Sequence, residues 1–282
     1  MKEQNTDFHY PDNSFYFSHR KVFGQFTMHT NHFHNQYEVY YLLSGERHYF
    51  IKDRVFHVKP GTLVLINEYD LHKTTEADSE DHTRILINFT KNFLSTSPYA
   101  KELLIKLFTS NYYVVPFLPG DRQNVELLLG KMTWEIEHKA IGFEVSLQSL
   151  LMEFLIYIIR YIEQNHHNTL EHPSPIHEKI SEIVQYINQN YHQELNLPSV
   201  SKSFFISQYY LSRAFKQVTG FTFVEYLNNI RVREAQRLLR ESEEKVIDIA
   251  EKVGFGNVSH FGRVFKEITS FSPLNYRKMN KS

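Results

Sequence analysis

Leu211-Ser-Arg-Ala-Phe-Lys-Gln-Val-Thr-Gly-Phe-Thr-Phe-Val-Glu-Tyr226 and, 50 residues further on, Phe261-Gly-Arg-Val-Phe-Lys-Glu-Ile-Thr-Ser-Phe-Ser-Pro-Leu-Asn-Tyr276 are two copies of one pattern. Arg, Phe, Lys, Thr, Phe and Tyr coincide, and most other positions are conservative pairs. Self-similarity at a fixed offset is the mark of a duplicated structural unit. Upstream, Leu197-x-x-Val200-Ser201 answers Val246-x-x-Ile249-Ala250 at an offset of 49, so the second copy carries one extra residue between these segments. Each copy reads as helix, tight turn, helix, over about 197–218 and 246–269.

Local chemistry supports both turns. Pro198 suits a first helical turn, and Ser207 is placed to cap a helix whose apolar positions Leu211, Phe215 and Val218 recur at four and three. In the second copy Gly254 and Gly256 flank Phe255, and Asn257 or Ser259 can cap the helix carrying Phe261, Phe265 and Ile268. With the apolar stripe turned inward, Gln208, Tyr209, Ser212, Arg213 and Lys216 face outward on the first helix. Val258, Ser259, Gly262, Arg263 and Lys266 do so on the second. An Arg and a Lys at matching outward positions suit contacts to base edges and phosphates. One such helix alone reads as a solvated face; the duplication turns the balance toward nucleic acid. Thr222 with Glu225 forms a capping box, opening a helix to about Glu241 that spans roughly 30 Å at 1.5 Å per residue. One turn of B-DNA is about 34 Å, so this spacer suits two readers in successive major-groove windows. Ser272-Pro273 opens a last helix ending in Tyr276-Arg277-Lys278, whose cations suit a helix C-terminus and a nearby phosphate.

The run Tyr210-Leu-Ser-Arg-Ala-Phe-Lys-x-x-Thr-Gly-x-x-Phe-x-x-Tyr-Leu, then Arg231, Ala235-x-x-Leu238-Leu239, Ile249-Ala-x-x-Val-Gly-Phe and Phe261-x-Arg-x-Phe-Lys resembles the AraC/XylS DNA-binding domain over about Ile176 to Lys278. The resemblance implies sequence-specific binding to double-stranded promoter DNA, usually activation, RNA polymerase as a partner, and a homodimer formed through the N-terminal domain. Ser201 stands where the family's first unit normally has Ala, and serine is small enough for that contact.

The 282 residues suggest two domains, expected at 1–165 and 176–282 with a polar, Pro-ended linker over 166–175. The linker histidines His166, His167 and His172 read as solvated. Net charge is −1, unevenly spread: from Ile176 onward 15 Lys and Arg face 11 Asp and Glu, while the remainder holds 16 against 21. The C-terminal part is thus the basic one. There is no cysteine, which excludes disulfides, thiolate zinc sites, cysteine nucleophiles and the methyl-accepting repair thiol sometimes joined to this type of DNA-binding domain. The first ten residues lack a secretory core, and the apolar run Leu150–Ile159 is interrupted by Glu153. No membrane partner is expected, and a cytoplasmic location is.

From Phe15 to Phe89 short β-branched and aromatic runs alternate with turn residues. Strands are expected at Glu38–Leu43, Arg47–Ile51, Arg54–Val58 and Thr62–Asn67, with turns at Ser44-Gly45, Lys52-Asp53 and Pro60-Gly61. This spacing indicates a small antiparallel barrel or sandwich. Helical periodicity follows at Ala100–Phe108, Asp121–His138 and Phe143–Ile162. The last of these has two apolar faces, so it needs either two partners in its own domain or one there and one in a second subunit. The fold class is therefore α+β: a β-barrel with packing or dimerisation helices, then an all-α domain of two helix-turn-helix units joined by a long helix.

His32-Phe-His34-x-x-x-Glu38, with Gly45 seven residues on and His72 beyond Gly61, resembles the cupin motifs. In metal-binding cupins such positions ligate a divalent ion, making His32, His34, Glu38 and His72 the candidate ligands. Asn67, Tyr69 and Glu76 depart from the second motif. The other reading is a polar interior in which His32, His34, Glu38, Tyr40 and His72 hydrogen-bond a small-molecule effector, polyhydroxylated or anionic, with a sugar as the leading class. On that reading the chain is not an enzyme and needs no cofactor; on the first it is a metal-dependent cupin enzyme or a metal-sensing regulator. The aromatic segment Phe8, Tyr10, Phe15, Tyr16 and Phe17 is either a cover for the ligand or ordinary strand core.

Overall fold

The computed structural model describes residues 5–24, 34–77, 81–94, 98–109, 114–165 and 175–280. His32 and the linker histidines lie outside them. The chain divides into two compact units, the first drawn mostly from residues before 172 and the second from His172–Ser282 together with Lys52–Val55.

In the first unit, β1 (Thr6–His9), β2 (Phe15–Val22), β3 (Tyr37–Ser44), β4 (Arg47–Ile51), β5 (Arg54–Val58), β6 (Thr62–Ile66), β7 (His72–Glu76) and β8 (His82–Phe89) precede α1 (Pro98–Thr109), β9 (Val114–Pro116), α2 (Pro119–His138) and α3 (Phe143–Gln164). The four expected strands and three expected helices are all present, with ends within two residues. A six-stranded sheet in the order β1-β2-β8-β3-β6-β9 faces a three-stranded sheet in the order β5-β4-β7. Gly45 and Gly61 adopt φ of 82° and 81° at the expected turns, and Lys52 takes 55° at the third. Gly45 cannot be replaced, because a Cβ there would lie 2.4 Å from the Asp81 carbonyl oxygen.

Strand alternation divides the core in two. Tyr37, Val39 and Tyr41 of β3, with Leu63, Leu65, Ile85, Ile87, Phe89, Phe15 and Phe17, point toward the helices and pack on Leu129, Met132, Leu151, Phe154 and Ile158. Tyr40, Leu42, Val64 and Ile66 point the other way and meet Tyr49, Ile51, Phe56 and Val58 of the smaller sheet. Four of the N-terminal aromatics, Phe8, Tyr10, Phe15 and Phe17, belong to the helix-side core, while Tyr16, in register with Asn88, is on the other face of β2 and stacks on His9. Phe15 and Phe17 are fully buried on the helix side, where Phe8 and Tyr10 pack against them, because β2 pairs with β8 in the register that puts Phe15 opposite Phe89 and Phe17 opposite Ile87.

By length and composition α3 could cross a membrane, yet it is the core helix of this unit. Leu147, Leu151, Phe154, Leu155 and Ile158 are fully buried, and Leu150, Met152 and Tyr157 pack against the same core. Both apolar faces thus find most of their partners within the unit. What remains outside is a mixed strip along a groove of about 680 Å³ that includes Gln148, Met152, Ile156 and Arg160.

The second unit comprises α4 (Pro175–Asn190), α5 (Leu197–Ser203), α6 (Gln208–Thr219), α7 (Phe223–Glu241), α8 (Val246–Lys252), α9 (Val258–Thr269) and α10 (Pro273–Asn280). Its duplication extends to single hydrogen bonds. Ile206 N donates to Ser201 O at 3.0 Å, and Phe255 N donates to Ala250 O at 2.9 Å, one bond in each helix-helix turn. Thr219 and Thr269 donate their hydroxyls to Phe215 O and Phe265 O, both at 2.7 Å, and accept from Phe221 N and Phe271 N. The helices are capped as their residues require. Ser207 accepts from Tyr210 N, Asn257 from His260 N, and Thr222 and Glu225 complete their box. The gap from α5 to α6 is one residue shorter than that from α8 to α9, as the two offsets demand. Arg277 differs from expectation: it donates to Glu244 O, so this cation serves the fold rather than an open surface.

The left-handed position of the first turn is Phe205, at φ 55°, where the second has Gly254 at φ 91°. The Phe205 ring is 96% exposed, so it recovers nothing for a conformation that L side chains resist. Phe205→Gly is expected to raise stability by about 0.5–1 kcal/mol. Urea denaturation checks this, and a fall in the midpoint would mean that the ring makes a contact the exposure does not reveal.

Candidate functional site

Two groups of residues are set apart from the core by polarity. The first is the outer surface of α6 and α9. Gln208, Tyr209, Ser212, Arg213 and Lys216 are all exposed, as are Val258, Ser259, Arg263 and Lys266, with Gly262 half-buried. The opposite faces are closed: Leu211, Phe215 and Val218 on α6 and Phe261, Val264 and Phe265 on α9 are buried. Ile268, expected in the inner stripe, is only half-buried. Arg213 lies over the Tyr209 ring and donates to its hydroxyl at 2.9 Å, so the guanidinium is held against that ring.

The second group lies between the two sheets. Glu38 enters from β3, directly opposite Asn88 on β8, and is fully buried. His34 Nε2 lies 3.2 Å from Glu38 Oε2, and His72 Nε2 lies 3.6 Å from the same oxygen. The other carboxylate oxygen accepts the Tyr49 hydroxyl at 2.6 Å, and Asn88 Nδ2 donates to Oε2 at 3.2 Å. Tyr49 belongs to the smaller sheet, so its bond to Glu38 spans the sandwich. Both imidazoles have their Nδ1 on a backbone carbonyl, His34 on Gln36 O and His72 on Asp70 O, each at 2.8 Å. That fixes the ring orientation and turns both Nε2 atoms toward Glu38.

Burial would raise the Glu38 carboxyl, but the charge of His72 and the bonds from His34 and His72 overcome it and hold Glu38 well below the usual carboxylate range. Burial likewise opposes the charge on His72, and Glu38 more than compensates, so His72 titrates above its ordinary value. Burial, then the Glu38 charge, drive the Tyr49 phenol up. Tyr40 stands against Tyr49 with ring centroids 5.2 Å apart.

Of the residues singled out in the sequence, His34, Glu38 and His72 converge, with ligating atoms within 4.8 Å of one another. Tyr40 lies on the same face one pleat away, and His32 is outside the described residues. Tyr49 and Asn88 were not anticipated. Their roles come from pairing across strands, and the one available signal was the place of Tyr49 on the same face of its strand as the apolar Ile51.

Comparison with known proteins agrees with this division of labour. Residues 21–155 match the model of the AraC-like ligand binding domain, and residues 200–279 match that of a helix-turn-helix domain. Among curated proteins the chain is 24% identical over 256 residues to the uncharacterized HTH-type transcriptional regulator YdeC of Bacillus subtilis, covering 88% of this chain and 86% of the relative. It is also 24% identical over 249 residues to the HTH-type transcriptional activator RhaS of Salmonella arizonae, covering 88% and 87%. Among solved structures, the C-terminal domain of AraT, a response regulator from Geobacillus stearothermophilus, is 36% identical, covers 38% of this chain and 86% of its own, and superposes with a TM-score of 0.36.

Proposed function

The chain belongs to the AraC/XylS family of transcription regulators, and from that premise we propose that it activates promoters when a small-molecule effector binds between its two sheets. The observation that carries the DNA assignment is the matched pair of exposed faces on α6 and α9, each with an Arg and a Lys at equivalent positions on a capped helix. Gln208, Tyr209, Ser212, Arg213 and Lys216 read one stretch of the operator, and Val258, Ser259, Gly262, Arg263 and Lys266 read the next. Val258, Ser259 and Gly262 offer fewer strong hydrogen-bonding groups than Gln208, Tyr209 and Ser212, so α6 supplies more base discrimination and α9 leans on backbone and DNA shape. RNA polymerase and a second copy of the chain, joined through the N-terminal unit in the cytoplasm, complete the proposal. A domain boundary near residues 166–175 is part of it.

Selection from a randomised duplex by the wild type and by Arg213→Ala and Arg263→Ala tests this reading. Each substitution is expected to relax base preference by about 1–3 kcal/mol in one segment only, the two segments lying about one helical turn apart. Equal weakening of every sequence by both variants would make the arginines phosphate contacts.

For the pocket, His34, Glu38 and His72 with Tyr40 offer donors and acceptors to a polyhydroxylated effector, a sugar being the leading class. One observation favours a second reading, in which the same residues hold a divalent metal. Zinc bonds of about 2.0–2.1 Å in tetrahedral geometry place donors roughly 3.3 Å apart, close to the 3.2 and 3.6 Å found here. The carbonyl-bound Nδ1 atoms are the usual support for ligating histidines. His34, Glu38 and His72 would be the ligands, with His32 the fourth candidate. Elemental analysis of protein purified without added ions decides between them, since a structural or sensing metal requires one equivalent per chain.

A further inference from the structure

The two exposed helices are built alike, and what differs between them surrounds their arginines. α6 and α9 are each opened by a capping side chain, Ser207 on Tyr210 N and Asn257 on His260 N, and each closes on a left-handed residue, Gly220 or Ser270. Counted from the caps, Arg213 and Arg263 stand at the same place. Their neighbours do not match. One turn before Arg213 is Tyr209, where the second copy has Ser259; one turn after it is Gln217, where the second copy has Glu267.

These exchanges decide what each guanidinium touches. Helical side chains lean toward the N-terminus, so a long side chain covers the residue one turn before its own. Arg213 therefore lies on Tyr209, with its Cζ 5.5 Å from the ring centroid and its Nη1 donating to the hydroxyl at 2.9 Å. The ring is 70% exposed, so the core does not hold it, and Arg213 is its hydrogen-bond and ring partner. α6 carries no carboxylate to draw the guanidinium elsewhere. Arg263 is also exposed, but among the described residues it has no side-chain hydrogen bond, ion pair or ring contact. Ser259 is too short to reach it, and Glu267 is a competing acceptor on its own helix.

With Nη1 on the tyrosine, Nε and Nη2 of Arg213 are left side by side. Two parallel donors are what O6 and N7 of guanine accept. An arginine already clamped has less rotamer freedom to lose when it binds, and the saving is kept only by a base that fits the clamped pose.

We propose that Tyr209 is a positioning residue for Arg213, making the α6 arginine a strict reader of guanine, while the unclamped Arg263 discriminates less. This rests on the reading of α6 and α9 as the helices that contact DNA. Tyr209 acts through the guanidinium rather than by a base contact of its own.

The full-length chain selects duplexes from a randomised pool, and its affinity for the enriched site is compared with that for sites changed at single base pairs. The wild type is expected to enrich guanine at the position whose preference Arg213→Ala relaxes, and to be stricter there than at the position relaxed by Arg263→Ala. Tyr209→Phe, which keeps the ring and loses the hydroxyl, is expected to lower the guanine preference about threefold, and Tyr209→Ala about tenfold. In an Arg213→Ala background both should change base preference by less than about twofold. Equal effects of the Tyr209 substitutions with and without Arg213 overturn the positioning role and make Tyr209 a reader itself. Tyr209 variants as selective as wild type overturn it too, as does equal strictness at the two arginine positions. These outcomes leave the DNA-reading surface standing. That surface fails only if Arg213→Ala and Arg263→Ala both leave the selected sequences and their affinity unchanged, and the positioning role then falls with it.

Discussion

Gly254→Ala is expected to cost the C-terminal unit about 3 kcal/mol and to loosen the second helix-turn-helix from the rest. Two penalties add. The residue sits at φ 91°, where an L side chain costs roughly 1–2 kcal/mol. An added Cβ would also lie 2.6 Å from Tyr191 O and 2.9 Å from Arg231 Nη2, an overpacking that typically costs about 1–3 kcal/mol. The collision matters because Arg231 joins three elements. From α7 it donates Nε to Tyr191 O at 2.9 Å and Nη2 to Gln193 O at 2.8 Å, just after α4. Its guanidinium also lies over the Phe255 ring in the turn between α8 and α9. Arg231→Ala leaves two carbonyls unsatisfied and an aromatic face bare, and about 2–3 kcal/mol is expected from losing charge-assisted bonds in a buried setting. Urea denaturation of both variants and of the double mutant checks the reasoning. The double mutant should be less destabilised than the sum, since removing Arg231 also removes one of the groups the new methyl strikes.

The sequence disclosed this unit in detail because its information is local. Caps, a first-turn proline, a left-handed glycine and a four-three apolar stripe each lie within a few residues of the structure they determine, and the duplication lets one copy check the other. Even the extra residue before α9 was legible, as a shift from 49 to 50 in the offset. In the N-terminal unit strand ends and turns could be read for the same reason. The partners across the sandwich could not. That Glu38 lies opposite Asn88 depends on the register of two strands 50 positions apart, and that Tyr49 reaches Glu38 depends on how one sheet covers the other. The aromatic N-terminus shows the same limit, because alternation marks two faces of a strand and only tertiary packing decides which one meets the helices.

Glu38→Gln is expected to be among the most damaging substitutions in the first unit, and its cost should depend on pH in a defined way. Breaking a buried charged cluster by neutralising one member typically costs about 3–5 kcal/mol, since Tyr49 and Asn88 donate to Glu38 and His72 faces it. Glu38 titrates below its ordinary 4.5 in the folded chain, so its contribution is present above that value and is lost as pH falls through the folded pKa. His72 titrates above its ordinary 6.5, so its contribution is complete below 6.5 and is lost as pH rises through the folded pKa. The two overlap between about 4.5 and 6.5, and there the difference between wild type and Glu38→Gln should be greatest. Chemical denaturation from pH 4 to pH 9 measures it. A constant difference across that range would mean that Glu38 and His72 are not coupled as an ion pair. Because the same carboxylate faces the proposed effector, the variant should also bind operator DNA without responding to effector, and an intact response would remove Glu38 from the signalling path while leaving its structural role in place.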